Sequence, residues 1–149
     1  MTNKFLIGGG LMSVVLFFVF LSNVNAYDIN NDVCTCSSCS DCTNALNDNT
    51  CSYVKLTTDI INYSGTCIDN PTNFNNKIFD CRGHKIDGSS WWDYHKRWHH
   101  YYGIYLNGKQ NNTIRNCIIT DFDCGIYLFS SSNNTLIGNN ASSNDIGIY

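Results

Sequence analysis

The chain has 149 residues, enough for one domain rather than two. Its 9 Lys and Arg stand against 12 acidic residues, all of them Asp, for a formal charge of −3. That excludes the basic excess a nucleic-acid binder carries. The chain is rich in Asn, has 11 Gly and a single proline, Pro71; Asn, Asp and Gly suit turns and left-handed backbone and disfavour helix interiors, so long helices are not expected after the leader.

At the N-terminus, Lys4 precedes an uncharged, mostly apolar run from Phe5 to Leu21, and Val24-Asn25-Ala26 puts small residues where a signal peptidase reads. This predicts an export signal over residues 1–26, with a mature chain from Tyr27 that is secreted or held at the cell surface. The alternative is an uncleaved anchor, since 17 residues lie near the lower limit for crossing a bilayer. Membrane contact is expected through this segment only.

A Cys-rich segment over residues 27–50 comes next and is expected to cap one end of the fold. All nine cysteines follow the leader, and export makes disulfides their default state. Nine is odd, so one stays free or pairs outside the chain. Cys34, Cys36, Cys39 and Cys42 also have a spacing that could hold a metal tetrahedrally, with Cys51, Cys67 and Cys81 nearby as disulfide partners. The pairs put forward are Cys67 with Cys81 and Cys117 with Cys124.

Residues 51–149 are read as a repeat. Gly103-Ile104-Tyr105-Leu106 recurs as Gly125-Ile126-Tyr127-Leu128 and again as Gly147-Ile148-Tyr149, each 22 residues on. Asn111-Asn112-Thr113-Ile114 is echoed by Asn133-Asn134-Thr135-Leu136 at the same interval. A leucine-rich repeat would need more Leu and a helix-compatible return. Here short β-favouring triplets alternate with Asn, Ser and Gly turns. The expected fold is all-β: a parallel β-helix with 22-residue coils of three strands each. Strand alternation puts Ile104 and Leu106 inward and Tyr105 outward, and groups Ile114, Asn116 and Ile118 on one face. An inward Asn is tolerable where stacked coils hydrogen-bond equivalent groups.

Asn75-Asn76-Lys77-Ile78-Phe79-Asp80-Cys81 resembles Asn111 to Cys117 at an interval of 36. The excess over 22 matches the 14 residues from Ser89 to Tyr102, SSWWDYHKRWHHYY, which is read as an insertion over residues 89–102. Insertions in repeat proteins map to surface loops. Trp91, Trp92, Tyr94, Trp98, Tyr101 and Tyr102 form a candidate glycan platform, because flat aromatic rings stack on sugars. His95, His99 and His100 are candidate Cu or Zn ligands. The third reading is a lid that simply packs on the solenoid. Asp121 and Asp123 read as turn residues, the Asn-x-Ser/Thr sequons beginning at Asn62, Asn111, Asn133 and Asn140 read mostly as repeat turns, and no catalytic residues or cofactor are assigned. The chain stops at Tyr149 partway through a strand, and further coils are expected beyond it.

With these units and Asp80-Cys81-Arg82-Gly83-His84-Lys85-Ile86-Asp87-Gly88 in view, the chain resembles secreted archaeal right-handed β-helix repeat proteins of the pectate-lyase-like superfamily. These include the NosD-like group, named for a role in copper-site maturation. The resemblance spans about Cys51 to Tyr149 and implies the handedness; it speaks for fold more than for function. The function expected is non-catalytic binding of polysaccharide or cell-surface glycan. The alternatives are a carbohydrate-active enzyme with catalytic coils beyond the C-terminus, and metal handling.

Overall fold

A computed structural model describes residues 27–89 and 100–149. In chain order the elements are β1 (Asp28–Asn30), β2 (Val33–Cys36), α1 (Cys39–Asn47), β3 (Tyr53–Leu56), β4 (Ile60–Tyr63), β5 (Ile68–Asp69), β6 (Ile78–Asp80), β7 (Lys85–Gly88), β8 (Tyr102–Asn107), β9 (Thr113–Arg115), β10 (Ile118–Thr120), β11 (Cys124–Phe129), β12 (Thr135–Ile137) and β13 (Ile146–Ile148). They build three sheets, ordered β1-β2-β3-β6-β9-β12, β4-β7-β10 and β5-β8-β11-β13. Every pairing is parallel except β1 with β2. The result is the expected right-handed parallel β-helix, of about five turns.

Side-chain alternation fills the interior with columns that run from coil to coil. Val54, Phe79 and Ile114 stack on the first sheet, Ile60, Ile86 and Ile119 on the second, and Ile68, Ile104 and Ile126 on the third. All are buried, most of them completely. The corners are set by left-handed residues five apart, at Asn111, Asn116 and Asp121 and again at Asn133, Gly138 and Ser143. Asn and Asp accept this backbone at little cost because their short polar side chains hydrogen-bond locally.

The residue after each corner points inward, and in the last coil it is always Asn. Asn134, Asn139 and Asn144 each accept a backbone N–H from the coil beneath (Asn112, Cys117 and Phe122, at 3.0 Å). Each also donates to a carbonyl there, of Lys109, Ile114 and Ile119. One coil earlier Asn112 does the same for Lys77 N and Phe74 O while only 1% exposed. The amide thus meets the cost of its own burial by bonding backbone groups that the corner leaves unpaired.

Several sequence-based expectations need correction. The interval of 36 is not uniform: Ile78 pairs with Thr113 at 35, Lys85 with Ile118 at 33, and Ile68 with Ile104 at 36. Two residues of the excess therefore sit at the Cys81–His84 corner, and eleven lie between β7 and β8. Tyr102 is not part of the insertion, since it belongs to β8 and pairs with Cys124. Ile118 does not share the inward face with Ile114; the left-handed turn at Asn116 resets the alternation, leaving Ile118 36% exposed and Ile119 buried.

The Cys-rich segment is itself the first rung, because β2 pairs in parallel with β3. It carries α1, which composition did not suggest. Ser38 caps it by accepting Asp41 N. The disulfides Cys36–Cys42 and Cys39–Cys67 pin it, and Lys77 Nζ donates to the carbonyls of Leu46 (2.8 Å) and Asp48 (2.6 Å) at its C-terminal end. Tertiary bonding overrides a weak helical sequence here. Cys34 pairs with Cys51 and Cys81 with Cys117, so both pairs put forward from sequence are replaced. The odd thiol is Cys124, which is buried. With Cys34, Cys36, Cys39 and Cys42 all oxidised, none is a thiolate for a metal. The export signal or anchor of residues 1–26 lies outside the described residues, among which no helix is long and apolar enough to cross a membrane.

Candidate functional site

The third sheet presents aromatic residues on its outer side. In β8 and β11, Ile104, Leu106 and Ile126 point inward, so Tyr105 and Tyr127 point outward, in register with each other. Tyr149 continues the column beyond β13, and Tyr102 and Phe129 join it on either side. Ring centroids lie 5.7 Å apart for Tyr105–Tyr127 and 4.9 Å for Tyr127–Tyr149, the latter pair only 7° from parallel. Tyr102 stacks on Tyr105 at 5.3 Å and meets Tyr127 at 5.2 Å.

Tyr127–Tyr149 and Tyr102–Tyr105 are stacked face to face, while Tyr105–Tyr127 and Tyr102–Tyr127 are tilted by 38° and 39°. Each ring is thus in close contact with at least one other, which takes up part of its face. Tyr27 and Tyr53 commit their hydroxyls to Asp48 (2.7 Å) and Asp80 (2.6 Å). No such bond is made by Tyr102, Tyr105, Tyr127 or Tyr149 among the described residues, where no buried side-chain oxygen lacks a partner. Their free hydroxyls are thus solvent-facing. Asp69 of β5 pairs with Tyr105 and sets an exposed carboxylate at the foot of the column. No Lys or Arg occurs in β5, β8, β11 or β13.

In sequence the insertion runs directly into β8. Trp91, Trp92, Tyr94, His95, Trp98 and His99 lie outside the described residues. Of the remaining candidates, Tyr102 belongs to the aromatic column, Tyr101 packs against the core instead, and His100 is exposed. Among the described residues no group of three or more His, Cys or Asp could hold a metal ion. Sequence reasoning placed Tyr105 outward but looked for a platform only in the insertion. A Tyr recurring every 22 residues at one strand position already implied a column.

The other two sheets carry polar clusters that are internally satisfied. On the first, Asp80 accepts from Tyr53 Oη, Arg115 Nε (2.8 Å), Asn116 Nδ2 (3.0 Å) and Arg82 N (2.8 Å). The cations of Lys55 and Arg115 lie over the Tyr53 ring, 4.7 and 5.2 Å from its centre. On the second, Asp87 accepts from Lys85 Nζ (2.6 Å) and Thr120 Oγ1 (2.7 Å), while His84 meets Asp59 at 3.0 Å. Burial pushes both carboxyls up, but the bonds from Tyr53, Asn116 and Arg115, and from Lys85 and Thr120, outweigh it and hold Asp80 and Asp87 at about 2. Asp121 and Asp123 are turn residues: Asp121 has the left-handed backbone, and Asp123 accepts the backbone N–H of Tyr101.

Acid stability follows from these two depressed groups. The unfolded carboxyl protonates near 3.8 and the folded one near 2. The stabilisation is complete above about pH 4 and is lost as pH falls toward 2, about 2 kcal/mol for each group. Denaturant melts at pH 5, 3 and 2 measure this, and Asp80→Asn is expected to flatten the slope by about half. Equal stability at pH 5 and pH 2 would show that the bonds do not hold the carboxyls ionised.

A family model described as "Right handed beta helix region" matches residues 94–149, which run through β8 to β13. No curated protein and no solved structure matches the chain.

Proposed function

We propose that this chain is an exported, non-catalytic β-helix that binds glycans or glycan-bearing surfaces through the outer side of its third sheet and the aromatic insertion beside it. The observation that carries the reading is the column of Tyr105, Tyr127 and Tyr149, with Tyr102 and Phe129, on one face of the third sheet, whose strand β8 follows the Trp-rich segment in sequence. Rigid aromatic residues supply contact area at small entropic cost, and their polar tips add hydrogen bonds. Four disulfides support an oxidising, extracellular setting. The Asp80 to Gly88 stretch supports a place among pectate-lyase-like β-helices, of which the NosD-like group is one branch. On the polar faces the carboxylates are tied into ion pairs and corner bonds, which favours binding over catalysis.

The test is depletion of the oxidised protein from solution by a panel of insoluble polysaccharides. Retention by at least one is expected, and Trp91→Ala, Trp92→Ala and Trp98→Ala together are expected to weaken it at least tenfold. Retention unchanged in the triple variant would remove the insertion from the site. No retention by any glycan would sink the reading as a whole.

A further inference from the structure

Resting on that reading, we infer that the third sheet takes a neutral, extended, β-1,4-linked hexose chain lying parallel to the solenoid axis, with the tyrosine hydroxyls as its polar rail. The column fixes the direction. Asp69, Tyr105, Tyr127 and Tyr149 occupy one outward register on successive coils, so the unsatisfied polar groups repeat along the axis and not across it. Neighbouring strands lie about 4.8 Å apart, and one sugar of an extended β-1,4-linked chain advances by a similar length. Each hydroxyl can therefore meet one sugar, and because successive sugars are turned by about half a turn, alternate hydroxyls meet equivalent groups while the others meet the opposite sugar edge. An α-1,4-linked chain coils and loses that register after one or two residues.

The ring arrangement decides how the chain is held. Packed together at 4.9 to 5.7 Å, stacked for Tyr127–Tyr149 and tilted for Tyr105–Tyr127, the tyrosines leave no open face for a sugar ring between them. What they offer is a row of hydroxyls that can donate or accept, the mixed pattern that sugar hydroxyls match. Phe129, 49% exposed, is the apolar surface beside the row.

Charge selects against acidic polymers. The only ionised group in the column is Asp69, which repels a uronate or sulfate, and the strands of this sheet carry no Lys or Arg to offset it. Asp69 can instead accept from a pair of sugar hydroxyls, as carboxylates do.

Calorimetric titration of the oxidised full chain with β-1,4-glucohexaose or β-1,4-mannohexaose, maltohexaose and oligogalacturonate separates the outcomes. Binding of at least one β-1,4-linked neutral hexaose is expected, with maltohexaose and oligogalacturonate at least tenfold weaker. Tyr105→Phe with Tyr127→Phe keeps the ring stack and removes two hydroxyls, and is expected to weaken binding about tenfold. Equal binding of maltohexaose, preference for oligogalacturonate, or a double variant that binds like the parent each overturns the inference, while glycan binding itself still stands. If none of these oligosaccharides binds but an insoluble glycan retains the protein, the inference fails and the broader reading survives. If no glycan is bound in either experiment, both fail together.

Discussion

Replacing both Cys81 and Cys117 by Ala is expected to lower the unfolding free energy by about 3 to 4 kcal/mol, the chain-entropy value for a loop of this size. The two residues are 36 apart in sequence, the widest span of the four bridges. Losing the bond therefore frees the longest loop that any of the four bridges closes. The position matters as much as the span. Cys117 stands one coil below Asn139, at the corner where the next coil uses an asparagine amide to hold its neighbour. In this coil Cys117 takes that position, and its disulfide to Cys81 does the joining beside the Asn116 amide on Asp80. Denaturant melts of the oxidised double variant measure the loss. Cys124→Ala, which removes a buried thiol that meets the backbone of Ile126 and Tyr149, is expected to cost about 1 kcal/mol. A double variant no less stable than that control would mean the bridge contributes little.

Gly103→Ala is expected to cost about 3 kcal/mol or more, a fall in melting temperature of roughly 10 °C at this chain length. A Cβ at Gly103 would lie 2.3 Å from Cγ2 of fully buried Ile119 and 2.6 Å from the carbonyl oxygen of Gly125. At Gly125 the same atom would lie 2.7 Å from the carbonyl oxygen of Gly147. At Gly103 and Gly125 the residue is thus glycine for lack of space, because the coil above closes over it, and at Gly147 the crowding atom is the Ala141 carbonyl oxygen at 2.8 Å. Neither neighbour can yield without disturbing the core or a rung. Gly108 is glycine for another reason, a φ of +68° with nothing within 4 Å of its would-be Cβ. Gly108→Ala is therefore expected to cost only about 1 kcal/mol. If the two variants melt together, crowding is not what selects glycine at position 103.

Much of the solenoid was legible because its coils repeat. The 22-residue period, the three strands per coil and the inward placement of Ile104 and Leu106 all follow from patterning that strand geometry imposes. What patterning could not supply was the phase of alternation across corners. One left-handed residue at Asn116 turns Ile118 outward and Ile119 inward, and nothing in the Cys117-Ile118-Ile119 triplet distinguishes the two. The pairing of nine cysteines was equally beyond reach, because it depends on α1. That helix is held by Ser38, two disulfides and Lys77 rather than by its own composition. The aromatic face lay between these cases. The recurrence of Tyr105, Tyr127 and Tyr149 was visible in the sequence, whereas the use of ring faces for stacking, leaving the hydroxyls free, needed the geometry.

The site assignment is tested most directly by ring NMR of tyrosine-labelled, oxidised protein titrated with a β-1,4-linked neutral hexaose. The account predicts that Tyr102, Tyr105 and Tyr127 shift together and saturably. Tyr53, tied to Asp80 and Arg115 on the first sheet, should stay fixed. Movement of Tyr53 with Tyr105 and Tyr127 unmoved would place binding on the wrong face and contradict the account.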